Sequence, residues 1–278
     1  MQLPRFAVDD IIITALKEDI HYIDTTTDLM IPADSRSTAR FLAKAEGVVC
    51  GMDIAMRVFT LLDDSFTCRV YVRDGDAVKP GDLLAECEGS TRFLLKGERT
   101  ALNLLQHLSG IATATNRAVK LVEGTRATIT DTRKTLPGLR ALQKYAVTVG
   151  GGKNHRFNLS DGAMLKDNHI DAAGGITPAV NALRSKLGHM VKLEVETRNL
   201  DEVKEALAAG ADIIMLDNMS CEEMRKAVEL ADGRVPLEAS GGITDETLRQ
   251  VAETGVDIIS IGALTHSVRA LDISMKIK

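Results

Sequence analysis

A strand–helix–strand unit is evident in VKLEVETRNLDEVKEALAAGADIIML (191–216). The apolar runs at its two ends have the length of buried strands, and the segment between them has the composition of a helix. Asn199 and Glu202 have capping-box spacing, which predicts that the helix begins just after Asn199. Strands that alternate with helices in this way are typical of a parallel sheet with right-handed crossovers. The stretch therefore predicts an α/β fold.

The same alternation continues on both sides of this unit. Four more short apolar runs predict strands and bring the total to six: ATITD (127–131), AMLK (163–166), PLEAS (236–240) and DIISI (257–261). Charged residues or glycines stand at the end of every one. A closed barrel directs all its strand ends to one mouth, whereas an open sheet concentrates ligand contacts at a switch point. We therefore predict an α/β barrel, incomplete because it has six strands instead of eight.

The N-terminal part of the chain has a different pattern. Alternating runs at TARFLAKAEGVVCGM (38–52), FTCRVYV (66–72) and LLAECEG (83–89) predict strands. A long helix is expected to begin after Ser90 and to break near Ser109-Gly110. The tail ALDISMKIK (270–278) alternates as well and has no barrel strand to pair with. We therefore predict an N-terminal domain over residues 1–112, to which the tail 268–278 returns, and a barrel over residues 113–267.

Composition excludes several classes of protein. The 278 residues are 45% hydrophobic, enough for a large core, but no apolar run approaches the roughly 18 residues of a membrane span. The N-terminus lacks the apolar segment of a signal peptide. Four scattered cysteines without a C-x-x-C pair predict reduced thiols in a cytoplasmic protein. A net charge of −5 with no tryptophan argues against nucleic-acid binding.

One stretch, 131–170, concentrates positive charge. Its cations outnumber its acids by seven to three, so it carries +4 while the remaining residues sum to −9. A positive cluster in an acidic protein favours a site for a small anion. The alternative is a solvated helix face, which is the better interpretation for Arg140 and Lys144. It fits four other cations poorly, since each stands at a strand end or beside a glycine-rich turn: Arg133, Lys134, Arg156 and Lys166.

The last two strand ends have the residues of a phosphate site. Glycine lets backbone N–H groups approach phosphate oxygens, and a helix N-terminus favours anions. The loops that follow the final strands are also where many barrels bind phosphate. The candidate phosphate ligands are Ser240, Gly241, Gly242, Gly262, Ala263 and Leu264.

Carboxylates end two of the central strands. Glu194 and Glu196 are two residues apart, so both side chains should face the barrel interior, and Asp217 ends the next strand. A buried carboxylate needs a cation, a hydroxyl donor or a metal ion. A divalent ion bound together with a diphosphate would meet this need, and so would salt bridges to Lys134, Lys166 or Lys192.

These motifs resemble those of the quinolinate phosphoribosyltransferases, also called carboxylating nicotinate-nucleotide pyrophosphorylases. The resemblance covers nearly the whole chain, and its most specific parts are TRKTLPGLR with GGG-x-NHR. The matching runs are ERTALNLLQHLSGIAT (98–113), TRKTLPGLR (132–140), GGGKNHR (150–156), LKDNHI (165–170), IIMLDN (213–218), EASGGI (238–243) and IGALTHS (261–267).

The resemblance implies a reaction, an architecture and an assembly. The reaction converts quinolinate and phosphoribosyl pyrophosphate into nicotinate mononucleotide, pyrophosphate and carbon dioxide with Mg²⁺, in de novo NAD biosynthesis. The architecture is an N-terminal open α/β sandwich plus a C-terminal incomplete, six-stranded α/β barrel. The assembly is a homodimer in which Arg99 reaches into the neighbouring site.

The resemblance also implies roles for single residues. Arg133, Arg156 and Lys166 would bind the two carboxylates of quinolinate. Thr132, Lys134 and His155 would lie near the substrate and the diphosphate leaving group. Glu194 and Asp217 would bind ribose hydroxyls and the metal ion, with Glu196 as the alternative to Glu194. The expected catalytic residues are Lys134, Lys166, Glu194 and Asp217.

Other functions remain open at this level. A phosphate-binding aldolase barrel would use Lys166 as a Schiff-base lysine. A related phosphoribosyltransferase-like protein of molybdenum-transport operons departs from the NHR and TRKTLPGL runs. A non-catalytic sensor of quinolinate or of the sugar diphosphate is a further alternative, although the chain retains every cation and carboxylate that the chemistry requires.

Overall fold

The computed structural model describes residues 3–278, which form two compact units. The first unit contains the residues up to Asn116 together with 135–151 and 264–278, and the second contains 117–134 and 152–263. This division differs from the predicted boundary after residue 112, because 135–151 groups with the N-terminal residues. The physical reason is that Leu142, Ala146 and Val147 pack into the hydrophobic core of the first unit.

The N-terminal elements of the first unit combine helices with short strands. In chain order they are α1 (Arg5–Asp19), α2 (Thr25–Met30), β1 (Arg36–Ala43), β2 (Gly47–Val48), α3 (Met52–Thr60), β3 (Thr67–Val70), β4 (Ala77–Val78), β5 (Leu83–Ser90) and α4 (Thr91–Leu121). β1 pairs antiparallel with β5, which pairs antiparallel with β3. Phe41 and Phe59 meet edge to face inside this unit, with ring centroids 6.1 Å apart.

Helix α4 does not break where the sequence suggested. It continues through Ser109 and Gly110 to Leu121. Gly110 allows the backbone of Arg269 to pack closely against the helix, because a Cβ atom at Gly110 would lie 2.3 Å from the carbonyl oxygen of Arg269. Ser109 is buried, and its hydroxyl bonds both the N–H and the carbonyl of Cys50, at 2.9 and 3.2 Å. The two residues expected to break the helix are therefore the residues through which it contacts Cys50 and Arg269.

The remaining elements alternate as the sequence predicts. They are β6 (Thr128–Thr130), α5 (Arg140–Val149), β7 (Ala163–Leu165), α6 (Asp167–Ala173), α7 (Ile176–Arg184), β8 (Leu193–Thr197), α8 (Leu200–Ala209), β9 (Ile213–Asp217), α9 (Cys221–Ala231), β10 (Leu237–Ser240), α10 (Asp245–Ala252), β11 (Ile258–Ser260), α11 (Ala263–His266) and β12 (Ile273–Ile277). All six predicted barrel strands are present. β12, in the alternating tail, pairs antiparallel with β1, so the tail lies in the sheet of the first unit.

The second unit contains a curled parallel sheet. Its strand order is β6-β11-β10-β9-β8-β7, and residues from all six strands line one interior cavity. Within residues 3–278 no ladder joins β6 to β7, so the barrel is incomplete, as predicted. Lys153 lies beside β6, where its N–H donates to the carbonyl of Ile129 at 2.8 Å and Thr130 forms a parallel bridge with it. The segment around Lys153 thus extends the edge of the sheet at β6.

Among residues 3–278, no helix is both long enough and apolar enough to span a membrane.

Candidate active site

A cavity of about 360 Å³ opens at the C-terminal ends of the barrel strands. Every strand contributes at least one residue to its wall, either from the strand itself or from the loop after it. The lining residues are Thr132, Arg133, Lys134, His155, Arg156, Met164, Lys166, Glu196, Met215, Asp217, Glu238, Ser240 and Ser260. Eight of them were candidate site residues in the sequence, so residues predicted from separate motifs share one cavity.

Two arginines bring positive charge into this cavity from the β6–β7 side. Arg133 follows β6, and Arg156 belongs to the segment beside β6. The guanidinium of Arg156 donates to the carbonyl of Gly162 at 3.0 Å. Burial, and then the neighbouring charge of Arg133, lower the pKa of Arg156. Two cations that approach each other in a partly desolvated cavity favour an anionic ligand between them.

Lys166 adds a third cation at the end of β7. It is the residue just before α6, and its side chain is half exposed. Its ammonium group lies 3.4 Å from a carboxylate oxygen of Glu196 on the adjacent strand β8. Lys134 lies in the loop after β6, where its N–H donates to the hydroxyl of Thr132 at 3.0 Å. The cavity therefore has cations on several sides.

Not every cation of the positive stretch faces solvent or the cavity. Lys144 on α5 is fully buried, with 0% of its surface exposed. Its interpretation as part of a solvated helix face is therefore wrong, whereas Arg140 is partly exposed and bonds the hydroxyl of Thr135 at 2.9 Å. Four-residue spacing places two side chains on one helix face but does not tell which part of that face is covered.

The two glutamates of β8 lie at different depths. Glu196 lines the cavity at the mouth, whereas Glu194 is 5% exposed and lines a second cavity of about 270 Å³ nearer the strand starts. Both face the interior, as the two-residue spacing predicts. Because Asp217 lines the same mouth as Glu196, the geometry favours Glu196 over Glu194 as its partner. The ribose and metal role of Glu194 stays a prediction.

Asp217 is held in place by the residue that follows it. The side-chain amide of Asn218 donates to Asp217 Oδ2 at 2.9 Å, and the N–H of Asn218 donates to the carbonyl of Ser240 at 2.9 Å. Asn218 has a φ of 53°, a left-handed conformation that asparagine tolerates better than most residues. This turn leaves the Asp217 carboxylate at the cavity wall.

A buried cluster of two carboxylates and one imidazole lies beneath the mouth. His155 Nε2 is 3.0 Å from Glu194 Oε2 and 3.6 Å from Glu238 Oε1. The Oε1 atoms of both glutamates are buried without a hydrogen-bond partner. Burial, and then the negative charge of Glu194, raise the pKa of Glu238 to about 7. Near neutral pH the Glu238 carboxyl therefore holds a proton for part of the time.

The backbone of the NHR motif is anchored by a fully buried aspartate. Asp131 Oδ1 accepts from the N–H of His155 at 2.9 Å, and Asp131 Oδ2 accepts from the amide of Asn154 at 2.6 Å. Asp131 directly follows β6, which is a rigid barrel strand. The loop that carries His155 and Arg156 is thus fixed to the sheet.

The glycine loops follow the last two barrel strands. Ser240 lines the cavity, and Gly241 and Gly242 have φ values of 93° and 61°. A Cβ atom on Gly241 would lie 2.2 Å from Asn218 Oδ1, so only glycine fits there. Gly262 lies between β11 and α11, Ala263 begins α11, and Leu264 is buried. None of these three lines the cavity, and their role in phosphate binding stays a prediction.

Arg99 is also outside the set of lining residues. It is exposed on α4 and belongs to the first unit, whereas every lining residue belongs to the second.

Five lining residues were absent from the sequence candidates or were only an alternative there. They are Met164, Glu196, Met215, Glu238 and Ser260, and all of them lie on barrel strands. Met164, Met215 and Glu238 precede Lys166, Asp217 and Ser240 by two positions. The alternation of strand side chains was the signal that could have found these three.

Two known protein-family models together match most of the chain. Residues 24–109 match the model of the quinolinate phosphoribosyl transferase N-terminal domain, and residues 111–276 match that of the C-terminal domain.

Individual relatives match over almost their full length. The probable carboxylating nicotinate-nucleotide pyrophosphorylase of Bacillus subtilis is 47% identical over 94% of this chain and 90% of its own. The carboxylating enzyme of Mycobacterium leprae is 45% identical over 97% of this chain and 96% of its own. Among solved structures, NadC from Streptococcus pyogenes is 45% identical and has a TM-score of 0.96, with coverage of 100% of this chain and 99% of that one.

Proposed function

The chain belongs to the quinolinate phosphoribosyl transferase family, and we propose that it transfers phosphoribosyl from phosphoribosyl pyrophosphate to quinolinate with loss of carbon dioxide. The products are nicotinate mononucleotide and pyrophosphate. One observation carries this proposal: three cations and two carboxylates, Arg133, Arg156, Lys166, Glu196 and Asp217, line the same cavity. A dianionic acceptor and a cationic transition state need both kinds of charge.

The cations bind the acceptor. Quinolinate has two adjacent carboxylates, and a guanidinium can form two parallel hydrogen bonds with a carboxylate. Arg133 and Arg156 supply such forks, and Lys166 supplies a point charge. Burial, and then the charge of Arg133, lower the pKa of Arg156, and binding of the dianion relieves the repulsion between the two arginines. Lys166 acts here as a cation and not as a Schiff-base nucleophile.

The carboxylates act on the sugar. Departure of pyrophosphate leaves positive charge on the ribosyl group, and Glu196 and Asp217 stabilise that charge and accept hydrogen bonds from ribose hydroxyls. Lys134 and His155 lie close to the leaving group. Attack by the ring nitrogen then makes the pyridine cationic, and this charge stabilises the carbanion that remains when the 2-carboxylate departs. A proton adds to that carbon, so no covalent intermediate with the protein is needed.

The donor set at the mouth fits a magnesium ion. Mg²⁺ is bound by oxygen ligands, often by one or two carboxylates together with substrate phosphates. Glu196 and Asp217 supply these carboxylates, and both line the cavity. When bound with the diphosphate, the ion would neutralise charge on the leaving group. Ser240, Gly241, Gly242 and the residues after β11 would bind the 5-phosphate through backbone N–H groups.

The assay for this function measures both products of the transfer. The purified protein is mixed with quinolinate, phosphoribosyl pyrophosphate and Mg²⁺, and the release of pyrophosphate and of carbon dioxide from carboxyl-labelled quinolinate is followed. We expect the two to appear in equal amounts. Pyrophosphate release without carbon dioxide, or binding of both substrates without turnover, would contradict the proposal. The variant Glu229→Gln, an exposed change on α9, should release both products as the parent does and serves as the control for later site variants.

We also propose that the active species is a homodimer in which Arg99 enters the partner's cavity. Support comes from the exposure of Arg99 on α4 and from the resemblance. Mixing an Arg99→Ala chain with a Lys134→Ala chain should restore about a quarter of the parent activity, since half of the dimers are mixed and each has one intact site. No recovery after subunit exchange, confirmed by native mass spectrometry, would refute the shared site.

A cytoplasmic location is the remaining part of the proposal. It is supported by the four cysteines, which are all free, with Cys50 and Cys87 buried.

A further inference from the structure

The hydrogen bonds around His155 determine which ring nitrogen carries the proton. The N–H of Arg156 donates to His155 Nδ1 at 2.7 Å, so Nδ1 must present a lone pair. A neutral imidazole with an unprotonated Nδ1 carries its proton on Nε2. Nε2 is the atom that lies 3.0 Å from Glu194 Oε2. His155 therefore donates to Glu194 on one side and accepts from Arg156 on the other.

This tautomer argues against a metal ion at the cluster. His155, Glu194 and Glu238 have ligand atoms within 4.8 Å of one another, which is close enough for a shared cation. A metal bound at Nε2 would need the lone pair there and would move the proton to Nδ1. The proton at Nδ1 would then face the N–H of Arg156. The cluster is thus arranged for a hydrogen-bond chain and not for coordination.

The chain of hydrogen bonds leads from a buried carboxylate to a cavity-lining arginine. Glu194 is 5% exposed and stands on β8, a central barrel strand, so its position is fixed by the sheet. The ring of His155 and the side chain of Arg156 both line the mouth cavity. Asp131 holds this loop at Asn154 and His155, and the ring of His155 is a further anchor at the N–H of Arg156. If the ring rotated, that N–H would lose its acceptor.

We propose that Glu194 is a positioning residue, which holds His155 in the Nε2–H tautomer and through it orients Arg156 toward the acceptor's carboxylates. Glu194 thus contacts neither the sugar diphosphate nor the metal ion, and those roles are left to Glu196 and Asp217. This inference rests on the proposed function for its kinetic consequences, but the tautomer itself can be observed without any reaction.

The test compares Glu194→Gln with Glu194→Ala. Glutamine keeps an oxygen that accepts from Nε2–H, so KM for quinolinate should stay within about threefold of the parent value. Alanine removes the acceptor, and KM for quinolinate should rise roughly tenfold or more, as expected for the loss of a hydrogen bond to a charged group. In both variants the KM for phosphoribosyl pyrophosphate and the Mg²⁺ concentration for half activity should not change. If Glu194→Gln alters these two quantities, Glu194 binds the sugar diphosphate or the metal ion, and the proposal is overturned.

A second measurement does not depend on activity. Nitrogen-15 NMR of the six histidine rings reports the tautomer of each, and His155→Gln identifies the His155 signals by their loss. We expect the Nε2–H tautomer in the parent and in Glu194→Gln. In Glu194→Ala the ring loses the Nε2 acceptor that fixes its orientation, so it can rotate away from the Arg156 N–H, and we expect a mixture of tautomers. A parent signal protonated at Nδ1 would overturn the proposal. A parent protein that shows the expected tautomer but no turnover would contradict the proposed function alone.

Discussion

Replacing Glu238 by glutamine should stabilise the protein at alkaline pH and have little effect on its stability at acidic pH. Glu238 is 2% exposed, and its pKa is raised from 4.5 to about 7 by burial and by the charge of Glu194. The folded state therefore binds a proton that the unfolded state releases between these two values. Stability from this group is fully present below about pH 4.5 and is lost as the pH rises to about 7.

The size of the effect follows from the width of this window. The pKa difference of about 2.5 units, at about 1.4 kcal/mol per unit, gives roughly 3 to 4 kcal/mol. Glutamine has nearly the same shape and no charge, so it avoids the cost of ionising a buried acid beside Glu194. The variant should gain on the parent from pH 4.5 upward and reach a plateau advantage of roughly 3 to 4 kcal/mol above pH 7.

Urea denaturation followed by circular dichroism, at intervals from pH 5 to pH 8.5, measures this difference directly. Circular dichroism is the suitable signal because the chain has no tryptophan. Glu229→Gln, on the exposed face of α9, is the matched control and should show no pH-dependent difference from the parent. A Glu238→Gln advantage that stays constant across the range, or a loss of stability at pH 8, would refute the linkage to Glu238.

Three further substitutions follow from local geometry. Gly241→Ala should lower the free energy of unfolding by at least about 2 kcal/mol, because its Cβ would overlap Asn218 Oδ1. It should also weaken binding of the sugar diphosphate. Denaturation and the KM for phosphoribosyl pyrophosphate measure the two effects. Ser109→Ala should cost about 1–3 kcal/mol of unfolding free energy, since the buried N–H of Cys50 loses its acceptor. Arg156→Ala should reduce kcat/KM for quinolinate far more than for nicotinate, whereas the parent should prefer quinolinate by roughly thirty- to several-thousand-fold.

Each of these has a control or an outcome that contradicts it. Gly81 has a φ of 96°, and a Cβ atom there would meet nothing within 4 Å, so Gly81→Ala isolates the conformational strain from the overlap. Equal losses for the two glycine variants would contradict the overlap argument. Ser109→Thr, which retains a hydroxyl, is the control for Ser109→Ala. A parent that uses nicotinate within about threefold of quinolinate would contradict the assignment of the cations to two carboxylates.

Local patterns in the sequence were sufficient for the architecture of the barrel. Each strand is a short apolar run between turn residues, and helices such as α8 and α9 begin at capping residues, so these elements are recognisable without knowledge of their neighbours. The residues at different strand ends could be assigned to one site because the C-terminal ends of parallel strands lie at the same end of the barrel. For this reason Thr132, Arg133, Arg156, Lys166 and Asp217 were found in separate motifs and lie around one cavity.

Close approach between distant segments could not be inferred in this way. Ser109-Gly110 has the appearance of a helix end, yet α4 continues because Gly110 is needed where the backbone of Arg269 passes. Lys144 has the spacing of a solvated residue and is fully buried. For Gly110 the decisive neighbour is far away along the chain, and in both cases the residue type alone carries no information about the packing.

The sequence by itself determined which chemical groups face the barrel interior, because side chains on a strand alternate with a period of two residues. It could not determine their depth. Glu194 and Glu196 have the same orientation and differ by two residues, or about 6.6 Å along the strand. Only the packing of six strands around a common interior decides that one of these carboxylates reaches the mouth and that the other is buried against His155.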